Sequence, residues 1–181
     1  MANDAPLTGP PVAGSEVDTL LGALERNRRT FAWKCGGLDA AGTGARLAPS
    51  SMTLGGLLKH LALVEDDMFT HALLGRPMPE PWTGVDFEAD PDWEWRTGAQ
   101  DDPAEVLALW EAAVARSRAA VAEALADGGL GRLVVQTRWS ERQSLRRQLV
   151  DLVEEYARHT GHADLIRESV DGLVGEDAPR P

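Results

Sequence analysis

Four histidines, His60, His71, His159 and His162, are the residues whose type and spacing could do chemistry in this chain. On a helical wheel His159 falls inside an apolar stripe, beside Leu152 and Ile166. Glu155, one turn earlier, lies on the flank of that stripe, and His162 lies a little further round on the same side. In an earlier segment His60 sits at the edge of a second stripe, near Leu57 and Val64. His60, Glu155 and His159 therefore all point toward a seam between two helices. Two neutral imidazoles and one carboxylate are a common facial set for a divalent ion that keeps open positions. A glutamate at such a seam is costly unless something positive neutralises it, and an ion does so.

Spacing restricts which of these can share one ion. Residues three or four apart on a helix are about 5–6 Å apart at Cβ, so Glu155 can act with His159, and His159 can act with His162. Glu155 and His162 are separated by about 10.5 Å of helix rise, too far for one ion. One of the two binds beside His159, and the other supports it or is unrelated. His71 lies about 16 Å along the axis from His60 and is excluded. Taken singly, a histidine on such a face is more often a hydrogen-bonded core residue, and a flanking glutamate is usually solvated. The joint occurrence across two helices is what favours metal.

These residues need long helices to hold them, and the chain supplies four. The first runs from Ser15, a cap, to Cys35 before Gly36-Gly37, and Cys35 reads as a small apolar filler. The second spans about Thr53 to Leu74, with Gly75 at its end. The third starts at Asp102, with Pro103 in the first helical position and Glu105 completing a capping box, and runs to Gly128-Gly129. The fourth covers about Ser144 to Asp171. Residues 130–139 are β-branched and suit a short extended piece. The fold class expected is all-α, a four-helix bundle with a long crossover between helices 2 and 3. The bundle occupies 15–173, between a loose N-terminal tail at 1–14 and a C-terminal tail at 174–181. The crossover, residues 76–101, carries Pro77, Pro79, Pro81 and Pro91 among acidic residues and is expected to be irregular. Its Trp82, Phe87, Trp93 and Trp95 either anchor it to the bundle or close it over the site as a lid. On the wheel Arg158 and Arg167 are exposed, with Arg158 placed either to reach an anionic substrate group or, the preferred account, to pair with Glu154.

A chain of 181 residues with 43% apolar residues can bury a core. Its net charge of −11 argues against nucleic acid or an anionic membrane as partner. A single cysteine excludes an internal disulfide framework, and no apolar run reaches the length of a membrane span. A cytoplasmic location is the expectation.

The segments MTLGGLLKHLALVE (Met52–Glu65) and EEYARHTGHADLIRE (Glu154–Glu168) resemble the DinB superfamily, especially the branch whose last helix reads ARHxGHADLLRE. The likeness covers roughly residues 15–173. It implies a divalent metal held by one histidine of the second helix and by two residues four apart on the last, here His60, Glu155 and His159. Many members carry His at the place of Glu155, whereas the mycothiol-dependent maleylpyruvate isomerases carry Glu. Others often have Gln at the place of His162, which implies that His162 supports the site or relays a proton rather than binding the ion. Those isomerases have a separate C-terminal domain with no counterpart in this sequence, which counts against isomerisation.

The resemblance further implies transfer of a low-molecular-weight thiol, mycothiol or similar, to a small electrophile. Zinc is the first expectation for the metal, with nickel, iron or manganese compatible, and a homodimer is carried as an expectation. The alternative is a non-catalytic bundle in which the metal is structural, or a ligand-binding protein.

Overall fold

Helix signals in the sequence translate directly into the long elements. The computed structural model describes residues 9–137 and 140–176, so parts of both expected tails, and Arg138 and Trp139 of the expected extended piece, lie outside the described residues. Helix α1 is Glu16–Cys35, started by Ser15, whose side chain accepts from the Asp18 amide. A single turn, α2 (Ala40–Thr43), follows. Helix α3 is Leu54–Glu65, capped by Thr53. Short α4 is Trp93–Gly98, and α5 is Pro103–Ala126, capped by Asp102 through the amides of Ala104 and Glu105. Helix α6, Leu145–Asp171, begins at Ser144 and ends at Gly172 with φ 78°. The molecule is an all-α bundle in which α1 packs on α6, α3 on α5, and α3 also on α6. The only extended pairing among the described residues is an isolated bridge between Leu133 and Ser144.

Two expectations about local structure need correction. The second helix does not run as one α-helix to Leu74, because from Asp66 to Leu73 it widens into a π-helix. The change of winding coincides with two adjacent, fully buried carboxylates, Glu65 and Asp66. Glu65 is gripped by Arg28 of α1 at 2.8 and 2.6 Å and accepts from the Tyr156 hydroxyl at 2.7 Å. Asp66 is gripped by Arg116 of α5 at 2.8 Å and by the Trp82 indole at 2.8 Å. A wider turn allows neighbouring side chains to serve partners on opposite sides.

The crossover is also not wholly irregular. It contains a 3-10 turn at Trp82–Gly84 and the helix α4. Helix α4 docks closely on α3 because Gly55 and Gly98 present no side chain at their point of nearest approach. A Cβ on Gly55 would lie 2.0 Å from the Gly98 carbonyl oxygen. Lys59 fastens the same contact, bonding Thr97 at 2.8 Å and Asp101 at 2.6 Å under the Trp93 ring.

The core joins all four long helices around Phe31, Trp110 and Tyr156, with Phe31 5.7 Å from Trp110 and 5.9 Å from Tyr156 between ring centres. Leu57, Leu58, Leu61, Leu149 and Leu152 surround them, all buried. Cys35 is buried in this core, and burial pushes its thiol pKa well above the ordinary value.

Arg167, expected at the surface, is buried instead. It donates to the carbonyls of Lys34 and Gly36 at 3.0 and 2.7 Å, satisfying the end of α1. A wheel drawn for α6 alone does not register that neighbouring end. Arg158 is exposed as expected, but it makes no ion pair with Glu154.

Candidate metal centre

The seam between α3 and α6 brings His60, Glu155 and His159 together. His60 Nε2 lies 3.2 Å and His159 Nε2 3.1 Å from the same oxygen, Glu155 Oε1. One ligand atom from each of the three residues falls within 4.8 Å of the others. The two imidazoles meet edge to face at 5.0 Å. His159 is buried, and the side chains of His60 and Glu155 are 18% and 32% exposed, so the cluster sits at the wall of the bundle with one side open.

The outward nitrogens also have partners. His60 Nδ1 is 3.4 Å from Glu94 Oε1 on α4, and His159 Nδ1 is 3.3 Å from His162 Nδ1. His162 thus lies behind His159, on the side away from Glu155. The Trp95 indole is stacked on the His60 ring at 4.3 Å. His71 is apart from the cluster, its Nδ1 3.1 Å from the Arg76 carbonyl oxygen.

Electrostatics follow from these distances. Hydrogen bonds from His159 and then His60 hold the Glu155 carboxyl well below the usual carboxylate range, outweighing its partial burial. Burial disfavours a charged His60, yet Glu155 and Glu94 on either side raise its pKa above the ordinary value. Burial, and then the charges of His159 and Arg158, lower that of His162. A neutral His162 can accept a hydrogen bond from His159 Nδ1, which would leave Nε2 of His159 to give its lone pair to an ion placed between it and Glu155.

The donor set therefore fits a divalent ion. Two Nε2 atoms and a carboxylate oxygen face one point, and each outward ring nitrogen is engaged, as histidine ligands require.

Glu155 also forms part of the wall of a cavity of about 530 Å³. Asp67, Met68 and His71 of the π segment form one side, Gln148 and Asp151 of α6 another, and Gln136 and Thr137 close it. The amides of Val135 and Gln136 tie that last segment to the Ala72 carbonyl at 2.8 and 3.0 Å. Sequence reasoning did not assign roles to Glu94, Gln148 or Asp151. A signal existed for two of them: Gln148, Asp151 and Glu155 recur at three- and four-residue steps beside the apolar stripe of α6.

Fold and site together define a helical bundle of the DinB-like class, with a His/Glu cluster between its second and last long helices. A family model described as mycothiol-S-transferase matches residues 19–172, and the chain belongs to that family. No curated protein gives a significant match. No helix among the described residues is long and apolar enough to cross a membrane.

Proposed function

We propose that the protein is a divalent-metal-dependent S-transferase that joins a low-molecular-weight thiol of the mycothiol type to a small electrophile. The carrying observation is the meeting of His60 Nε2, His159 Nε2 and Glu155 Oε1, the last from a residue that also lines the 530 Å³ cavity. Under this reading His60, Glu155 and His159 hold the ion, with zinc the first choice on the mixed nitrogen and oxygen set. A bound divalent ion there supplies a Lewis acid that lowers the pKa of a thiol reaching it. One carboxylate among two neutral imidazoles would leave a single positive charge on a divalent ion held there.

The chain's own residues do the remaining work. Glu155 borders both the ion site and the cavity, so a ligand in the cavity can reach the site at Glu155. Trp95 covers the face of His60, excluding water from that side. His162 accepts a hydrogen bond from His159 Nδ1–H and so keeps that imidazole in the binding tautomer. No protein nucleophile is needed, and Cys35, buried with its pKa raised, does not serve as one.

Metal content and turnover test the reading together. The purified chain should carry about one zinc-type ion per molecule and alkylate a mycothiol-type thiol only when loaded. A loaded protein without thiol-transfer activity toward any electrophile favours a structural metal instead. A chain that takes up no ion overturns the proposal.

A further inference from the structure

We infer that Glu94, on the crossover helix α4, is the positioning residue that fixes which nitrogen His60 presents to the ion; this rests on the metal reading above. Glu94 is 5% exposed, and its Oε1 lies 3.4 Å from His60 Nδ1. A carboxylate oxygen only accepts, so this contact is a hydrogen bond only while Nδ1 carries the proton. With an ion between them, Nε2, the nitrogen that faces Glu155 Oε1 at 3.2 Å, then offers its lone pair; without one, Glu155 accepts from Nε2 as Glu94 accepts from Nδ1. The opposite tautomer would set two lone pairs against each other at Nδ1. It would also leave both Glu94 oxygens unsatisfied, because Oε2 is already buried without a partner.

The adjacent residue acts on the other degree of freedom of the ring. Trp95 lies over His60 at 4.3 Å with only 23° between the planes, so the imidazole cannot tilt toward that side. Neither residue could do this from a floppy loop. The Gly55–Gly98 contact and the bonds from Lys59 to Thr97 and Asp101 fix α4 to the helix that carries His60. The crossover is thus a brace for one ligand, with Glu94 setting the proton and Trp95 the plane. Glu94 itself touches the edge of the ring opposite to Nε2 and does not reach the ion.

The test uses the full-length zinc-loaded chain and two variants, Glu94→Leu, which removes the acceptor at similar size, and Glu94→Gln, whose amide oxygen still accepts. Nitrogen-15 NMR of the histidine rings should show a slowly exchanging Nδ1–H on His60 in the wild type and in Glu94→Gln. In Glu94→Leu that proton should exchange rapidly with water. Zinc affinity by chelator competition should fall about 10- to 100-fold in Glu94→Leu, the usual effect of losing a partner behind a metal-bound histidine, and recover most of that loss in Glu94→Gln. Unchanged affinity and a protected Nδ1–H in Glu94→Leu overturn the inference. An equal affinity loss in both variants does so too, because it reports packing rather than hydrogen bonding. If His60→Ala binds zinc as tightly as the wild type, the metal reading falls and this inference with it. If zinc needs His60 but ignores Glu94, only this inference falls.

Discussion

Glu155 and His162 stand seven residues apart on α6, and only Glu155 meets His60. Glu155→Gln should weaken metal affinity severely, whereas His162→Gln should cost about 10- to 100-fold at most, because a lost supporting bond is partly replaced by water. Chelator competition on the two variants decides the order, and the reverse order would remove Glu155 from the site. By the same assay His60→Ala and His159→Ala should abolish stoichiometric binding, while His71→Ala should leave it intact. The metal-free chain carries a pH signature. Glu155, lowered from 4.5, contributes stability above that value and loses it as pH falls through its lower native pKa. His60, raised from 6.5, contributes fully below 6.5 and loses its contribution as pH rises through its higher native pKa. Denaturant unfolding should therefore show wild type exceeding His60→Ala by more at pH 5.5 than at pH 8. Equal margins would show that His60 is not held charged by its neighbours. Wheels drawn on two helices were enough to gather His60, Glu155 and His159. Glu94 was not legible, because its partner is set by how the crossover docks and by no periodicity within α3 or α6.

At the scale of elements, the long helices were readable where caps and apolar stripes agree, as at Ser15, Asp102 and Ser144. The π segment escaped because Phe69 and Leu73 keep an inward face under either winding. Helix α4 escaped because six residues carry too little period, although Gly55-Gly56 inside a helix marked a close approach. Gly55→Ala tests that approach: with a Cβ 2.0 Å from a carbonyl oxygen, α4 must shift, at a cost of about 1–3 kcal/mol. Denaturant midpoints measure it, and a neutral result would show that the two helices can separate freely. Arg28→Leu is the harsher case. It leaves Glu65 fully buried with only the Tyr156 hydroxyl for company and should cost about 3–5 kcal/mol by the same measurement.

For the molecule as a whole, a net charge of −11 and a cavity walled by Asp67, Asp151 and Glu155 disfavour anions near the site. Under the proposed activity, kcat/KM for a negatively charged electrophile should rise as ionic strength goes from about 10 mM to about 0.15 M, because screening shortens the reach of that field. A neutral electrophile should show little change, and identical salt responses would remove charge as a selector. The separation of the proposed ligands has a different consequence. His60 and Glu155 are 95 positions apart in the chain and meet only when α3 and α6 have docked. Under the metal reading the unfolded chain has no such set, so an ion would bind the native state and stabilise it by mass action, by about 2.7 kcal/mol at a hundredfold excess over Kd. On that reading metal supply would also set abundance in a cell: starvation would enlarge the unfolded fraction open to proteases, and the amount of protein would fall along with its loading.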